Sequence, residues 1–340
     1  MAQFTLTTLS SKELKNDDRG MSMKKIAITG VSGFVAGHFI DYLYKNDIEC
    51  EILGLDRGTP KIDFAKYADR INIRLSIIDL MDKEALKVAL ETFNPDYILH
   101  LAALSSVAYS WKYPTESFMN NSNIFLNLID AIREVNPECR ILSVGSSEEY
   151  GNVSRSELPL KESQRVNPVS PYAVARVSQE LMSKVYVKAY GMNVIMTRSF
   201  NHIGPRQDDR FVIPSFIKRI IDIKNNGKTK GEIETGDTTI IRDFVDVRDV
   251  VRAYYMLLTE GTPGEIYNIC SGNAYKLSDI IDCIATEVGV KVTTRVNPEF
   301  VRPDDNKEIV GSAYKLEVEL GWKPEIDIKD TLRVMIAERI

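Results

Sequence analysis

Residues 170–176 read SPYAVAR. Tyr172 and Arg176 are four positions apart, and on a helix such positions share one face, a single turn from each other. A phenol beside a fixed cation gives up its proton more readily, because the cation stabilises the phenolate. The spacing therefore offers a proton donor and acceptor made from a group whose ordinary pKa is about 10. The alternative is a surface helix that happens to carry both residues.

A second stretch, TGVSGFVAG at 29–37, has phosphate chemistry in view. Gly30, Gly33 and Ala36 give the spacing GxxGxxA. The first glycine permits a tight turn, the second lets the backbone approach a pyrophosphate at a helix N-terminus, and the third position packs helix on strand. An apolar run precedes it and a helix-like run follows, which is the context a dinucleotide turn requires. Asp56 closes the next apolar run, CEILGLD. An acid there accepts hydrogen bonds from ribose hydroxyls and repels a 2′-phosphate, which favours NAD. Arg57 follows and could hold a 2′-phosphate, which keeps NADP open. Asp79, ending LSIID, is placed to cap the adenine or to serve as a turn residue.

The elements that must position these residues alternate. KKIAITG, CEILGLD, INIRLSIID, DYILHLAA, CRILSVGSS and NVIMTRSFN are apolar runs of strand length. Helix-like segments such as KEALKVALETF and IFLNLIDAIREV lie between them. This alternation predicts an α/β fold with a doubly wound parallel sheet covered on both faces. Residues 23–202 are assigned mainly to the dinucleotide-binding domain. After about residue 203 proline, glycine and charge become common. Residues 203–340 are assigned mainly to a smaller, interleaved substrate-binding lobe, with a segment at about 237–262 returning to the first domain. Residues 1–22 are polar, fit none of these elements and read as a disordered extension, with Met21 or Met23 as alternative starts. Apolar residues at helical spacing, Phe125, Ile129 and Ile132 in one segment and Val177, Leu181 and Val185 in another, predict faces turned to the core.

The chain has 340 residues and a net charge of −5, which argues against nucleic acid or an anionic membrane as the main partner. No apolar run reaches the ~20 residues of a membrane span. Four scattered cysteines without a CxxC pair and three histidines predict reduced thiols, a cytoplasmic location and no metal.

With TGVSGFVAG, HLAA, GSSEEYG and SPYAVAR in this order, the chain resembles the extended short-chain dehydrogenase/reductase family. The later stretches SFNHIGPRQ, RDFVDVRDV and RPDDNKEIVGSAYKLEVELGWKP are similar to its branch acting on GDP-linked hexoses, the GDP-4-keto-6-deoxy-D-mannose reductases and GDP-mannose 4,6-dehydratases. The resemblance runs from about Lys24 to the C-terminus and implies a Rossmann-type domain. It implies that Ser146 hydrogen-bonds the C4 oxygen of the sugar, that Tyr172 is the acid/base there, and that Arg176 stands where lysine binds the nicotinamide ribose. Further cofactor contacts are implied for Ser32, Phe34, Val35, Leu80, Leu101, Ala102 and Ala103. Substrate contacts are implied for Ser105, Ser147, Asn201, Phe211, Val212, Arg242, Arg302 and Asp305. A homodimer joined through a four-helix interface is implied as well. Two features depart from the branch: Arg176 replaces lysine, and Asp56 is NAD-like where the reductases are NADP-like.

Three chemistries share hydride transfer at C4 with Tyr172 handling the proton. A 4-keto reductase stops there, a C4 dehydrogenase runs it backwards, and a 4,6-dehydratase adds loss of water across C5 and C6. Glu148 stands where dehydratases place the base for the C5 proton. The reductase is the favoured reading. An NAD-binding regulatory protein without turnover is the non-enzyme alternative, and the joint presence of Ser146, Tyr172, Asn201 and the arginines speaks against it.

Overall fold

The computed structural model describes residues 23–60, 62–301 and 306–340. The expected N-terminal extension, residues 1–22, and two expected substrate contacts, Arg302 and Asp305, lie outside the described residues.

The first six strands, β1 (Lys24–Thr29), β2 (Cys50–Asp56), β3 (Ile71–Ile77), β4 (Tyr97–His100), β5 (Arg140–Ser146) and β6 (Val194–Ser199), fall within the six apolar runs. The short strands β7 (Asn201–Ile203), β8 (Lys230–Thr235), β9 (Ile241–Arg242) and β10 (Phe244–Asp246) come next. A late strand, β11 (Ile266–Ile269), completes a seven-stranded sheet of order β11-β6-β5-β4-β1-β2-β3. Every pairing in it is parallel. The central strands are buried on both faces, which is why they read as continuous Ile, Val and Leu rather than as an alternation. The doubly wound parallel sheet expected from the sequence is therefore present. Strand order reverses between β1 and β4, and ligands of such folds bind in the crevice outside that point.

Helices α1 (Phe34–Lys45), α2 (Lys83–Phe93), α3 (Val107–Lys112), α4 (Pro114–Val135) and α5 (Pro171–Tyr190) connect the strands up to β6. α2 coincides with KEALKVALETF. α4 begins ten residues before IFLNLIDAIREV, since 124 − 114 = 10. Its polar first half is held by tertiary pairing: buried Asn121 accepts from the Leu104 N–H at 2.8 Å and donates to the Leu104 carbonyl at 3.1 Å.

Phe125, Ile129 and Ile132 of α4 are buried, as their spacing predicts. The row on α5 is not core. Leu181 is 52% and Val185 49% exposed, and Val177 is only partly covered. The face that α5 buries carries Tyr172, Ala173, Ala175, Arg176, Gln179, Glu180 and Ser183 instead. Small residues let the helix approach β5 and β6 closely there, and polar groups on those strands satisfy its polar side chains.

Beyond β6 follow α6 (Val212–Asn225), α7 (Val247–Glu260), α8 (Leu277–Val288), α9 (Tyr314–Leu320) and α10 (Ile328–Ala337). A second core joins Ile213, Ile217 and Ile220 of α6 to Ile280 and Ile284 of α8 and to Leu332 and Met335 of α10. The chain from Val245 to Leu258, Tyr267, Ile269, Leu316 and Trp322 packs instead into the cluster that holds β1 and α1. No helix among the described residues is long and apolar enough to cross a membrane.

Candidate active site

A cleft of about 1070 Å³ opens at the carboxyl ends of the parallel strands, at the point where their order reverses. Gly30 follows β1 with φ +70°, and a Cβ added there would lie 3.0 Å from the Ala102 backbone. Only glycine lets the turns after β1 and β4 pass so closely. The second turn is fixed by Thr29, whose Oγ1 accepts from the Leu101 and Ala102 N–H groups at 3.1 Å each. The same hydroxyl lies 2.9 Å from His100 Nδ1. Burial pushes the His100 pKa down to about 3, so its ring is neutral and Nδ1 can accept the Thr29 proton.

Gly33 is the N-cap of α1 and brings no side-chain acceptor, which leaves the first-turn N–H groups of the helix for an anion. A Cβ there would come within 3.0 Å of the Gly30 carbonyl oxygen. The cradle fits a pyrophosphate. Ser32, Phe34, Val35, Asp56, Arg57, Asp79, Leu80, Leu101, Ala102 and Ala103 line the same cleft. Asp56 accepts from the Ser32 N–H at 2.9 Å and the Arg57 N–H at 2.7 Å, so its carboxylate is oriented by the glycine-rich turn. Asp79 lines the cleft and also accepts from the Met81 N–H at 2.9 Å, the contact of a turn residue.

Tyr172 and Arg176 face the other side of the cleft from the start of α5. Ser170 caps that helix by accepting from the Ala173 N–H at 3.1 Å, and Pro171 occupies its first turn, where its missing N–H costs nothing. Arg176 Nε donates to the Tyr172 hydroxyl at 3.1 Å. The one-turn spacing thus becomes a direct contact between phenol and guanidinium, both buried in the floor of the cleft.

Ser146 ends β5 and lines the cleft. Its Oγ accepts from the Glu148 N–H at 3.2 Å, so its own proton is left to donate elsewhere. The turn Ser147–Tyr150 is a 3-10 helix, and Glu148 lines the cleft from it. Ser147, expected at the substrate, is instead buried and off the cleft lining. In a 3-10 turn successive side chains point about 120° apart, so neighbours cannot share a direction. Glu149, which the sequence reading passed over, is fully buried and closes a reciprocal cap: its Oε1 accepts from the Ser146 N–H at 2.7 Å. Gly145 makes room for it, since a Cβ there would stand 2.4 Å from Glu149 Oε1. Burial, and then the neighbouring Glu180 carboxylate, pushes the Glu149 pKa up to about 8. Burial alone would raise Glu180 too, but the Arg198 guanidinium, donating to it at 2.8 and 3.0 Å, holds it below the usual carboxylate range.

Across the cleft stand Ser105, Asn201, Phe211, Val212 and Arg242. Arg242 is buried, and its Nη1 donates to the Ile241 and Asn306 carbonyls at 2.9 and 2.8 Å. Ser199 and Tyr254, whose hydroxyls are 2.8 Å apart, also line the cleft. So do Gln207, Arg219, Thr235 and Phe300. No spacing in the sequence singles these out, because they converge from β6, α7, the GPRQ loop, α6, β8 and the 3-10 turn Pro298–Phe300.

A sequence profile of the GDP-mannose 4,6 dehydratase family matches residues 27–335. The chain belongs to that family. GDP-6-deoxy-D-mannose reductase of Pseudomonas aeruginosa is 31% identical over 315 residues, covering 93% of this chain and 97% of its own. The solved structure of RMD from Pseudomonas aeruginosa, complexed with NADPH, superposes with a TM-score of 0.78 at 30% identity over 94% of this chain and 99% of that one. UDP-glucose 4-epimerase of Thermus thermophilus, solved with NAD, gives 0.79 at 26% identity over 92% and 98%. The family resemblance drawn from the motifs is borne out.

The environment of Glu149 sets a pH dependence. Its pKa rises from 4.5 in the unfolded chain to about 8 in the fold. Between those values the native state holds a proton that the unfolded state has lost, so this contribution to stability is complete below 4.5 and is lost as pH rises towards 8. Glu149→Gln should therefore unfold in urea with a midpoint that falls less between pH 5 and pH 8 than that of the unaltered protein. Equal slopes would mean that Glu149 is not held neutral.

Proposed function

We propose that the protein reduces the C4 ketone of a GDP-linked 4-keto-6-deoxyhexose, in the manner of a GDP-4-keto-6-deoxy-D-mannose reductase, with NAD(H) as cofactor. The observation that carries this reading is the 3.1 Å contact between Arg176 Nε and the Tyr172 hydroxyl, in a cleft that also contains the Gly30–Gly33 cradle. The relatedness to a reductase of GDP-6-deoxy-D-mannose supports the substrate class.

The Gly30–Gly33 cradle would hold the pyrophosphate of a reduced nicotinamide dinucleotide, which when bound would supply the hydride for C4. Tyr172 gives its proton to the C4 oxygen as negative charge develops there, and Arg176 stands against the phenolate oxygen that results. Ser146 donates its free proton to the same oxygen. Arg242, with its planar donor fork, serves the diphosphate, and Asn201 the sugar or diphosphate. NAD is favoured because Asp56, oriented by Ser32 and Arg57, presents a carboxylate at the end of β2, where a 2′-phosphate would meet like charge. A second reading, a 4,6-dehydratase, rests on Glu148, which lines the cleft two residues from Ser146.

α5 exposes the apolar row Val174, Leu181 and Val185, and α4, the helix packed beside it, exposes Phe118 and Met119. We propose that these helices pair with those of a second copy, burying apolar side chains that a monomer leaves in water. Four free cysteines, three of them buried, suit a reduced, cytoplasmic setting.

Purified protein given GDP-4-keto-6-deoxy-D-mannose and NADH should yield a product heavier by two hydrogens. Tyr172→Phe should lower that turnover about 10²–10⁴-fold. Consumption of GDP-mannose instead establishes the dehydratase, and an unchanged rate in Tyr172→Phe removes Tyr172 from the chemistry.

In thermal unfolding, GDP should stabilise the protein more than UDP or dTDP, and NAD(H) more than NADP(H). A ligand at 100 times its Kd adds about 2.7 kcal/mol. A larger shift with UDP or dTDP moves the substrate class, and a larger shift with NADP(H) reassigns Asp56.

Sedimentation equilibrium should give a dimer, and Leu181→Glu a monomer that keeps its secondary structure. A monomeric unaltered protein rejects the pairing.

A further inference from the structure

Arg176 is more than a substitute charge, because its guanidinium is held along one edge by a polar group of its own helix. Nη1 donates to Gln179 Oε1 at 2.8 Å and to the Val144 carbonyl at 3.0 Å. Gln179 is itself buried, and its Nε2 donates to Ser143 Oγ at 2.8 Å and to the Val144 carbonyl at 3.1 Å. Ser183, one turn on, shares its one hydroxyl proton between the Gln179 carbonyl at 2.9 Å and Ser143 Oγ at 3.3 Å. Tyr172, Arg176, Gln179 and Ser183 therefore form one polar row on the inner face of α5, fastened to β5.

A guanidinium is planar, and the Nε–H and one Nη2–H run parallel along one edge. In this structure the Nε–H of that edge reaches the Tyr172 hydroxyl. Nη2 has no hydrogen-bond acceptor among the described residues, and Arg176 lines the cleft. Fixing Nη1 against β5 fixes the whole plane, and with it the edge presented to the phenol and the cofactor side of the cleft. An ammonium has no plane to fix: three donors rotate on a flexible stem around a point charge.

We propose that Gln179 is the positioning residue for Arg176, and that the two form an interdependent pair. The guanidinium supports Tyr172 and holds the cofactor ribose only while Gln179 sets its plane, whereas a lysine at 176 does not depend on Gln179. The proposal rests on the reading of Tyr172 as the proton donor at C4 in so far as turnover is concerned. Its cofactor-binding arm does not.

The experiment is a double-mutant cycle of the unaltered protein, Gln179→Met, Arg176→Lys and the double variant, with circular dichroism and thermal unfolding confirming that each is folded. NADH affinity is read by fluorescence titration, and kcat and KM with GDP-4-keto-6-deoxy-D-mannose. In the arginine background, Gln179→Met should weaken NADH binding and lower kcat about tenfold each, within the range that coupled neighbours of one network reach. The KM for the sugar nucleotide should stay unchanged. In the lysine background the same substitution should change either quantity less than about twofold, since independent sites add. Gln179→Glu, which keeps an acceptor for Nη1, should restore NADH binding to within about threefold of the unaltered protein, which a residue that merely fills space would not do. Equal losses in both backgrounds, or no loss with arginine, overturn the pair. Absence of sugar turnover in the unaltered protein overturns the proposed function alone, and the NADH titrations still decide the pair. If Gln179→Met does not fold, the Gln179→Glu titrations in both backgrounds carry the decision: loss of NADH binding there overturns the proposal.

Discussion

The packing of α5 on β5 must satisfy a guanidinium that is 5% exposed. Removing such an ion from water costs several kcal/mol, and it is tolerated only where hydrogen bonds replace the lost solvent. Arg176 finds the Tyr172 hydroxyl, the Val144 carbonyl and Gln179. A carbonyl of β5 can serve only because the helix lies close to the strand, and that approach depends on Ala173 and Ala175 on the buried face. The seating of the charge, the depth of the helix and the position of the phenol are thus one constraint. The same requirement explains why the inner face of α5 is polar and its outer face apolar, the reverse of a helix that covers an ordinary core.

A second buried guanidinium lies near the first and has a carboxylate of its own. Arg198 on β6 and Glu180 on α5 form a buried pair at 3% and 5% side-chain exposure. Glu149 sits near both arginines, and one of its oxygens has no partner. Two carboxylates and two guanidiniums would be neutral in sum, yet Glu180 alone claims Arg198, and Arg176 is turned towards tyrosine. Glu149 therefore meets its burial by keeping a proton. Neutral, it still accepts the Ser146 N–H and completes the cap that directs the Ser146 hydroxyl. Charge state and geometry of the cleft floor are linked through this one residue.

Sequence patterns were most informative where a single element determines the outcome. The GxxGxxA turn, the Tyr172–Arg176 spacing and the bounds of α2 follow from local periodicity and local chemistry, and the structure shows them as read. The failures have a common cause. The apolar spacing of Val177, Leu181 and Val185 identifies a face but not what covers it, and here the face looks outward. The resemblance implies a substrate contact for Ser147, but the direction of a side chain in a tight turn depends on the turn type, which GSSEEYG does not reveal. Glu149 and Gln179 carry no signal by type or spacing, because their roles exist only once β5, β6 and α5 are stacked. The long polar start of α4 was hidden for the same reason: Asn121 pairs with a backbone segment that precedes it by 17 residues.

α5 then serves three partners with three rows of side chains. Tyr172, Arg176, Gln179 and Ser183 face β5 and the cleft, Glu180 with Lys184 at 2.7 Å reaches towards Arg198, and Val174, Leu181 and Val185 face outward. A rigid helix cannot shift one row without shifting the others. If a second copy covers the outer row, as proposed, the association also presses the inner row onto β5 and narrows the range of positions open to the guanidinium plane. Arginine at 176 makes the cleft more sensitive to this than lysine would, because a planar fork needs its direction fixed while a rotating ammonium needs only its distance. The substitution at 176, the glutamine three residues later and the apolar outer face are in this view parts of one arrangement, in which the orientation of a single buried cation is set from both sides of its helix.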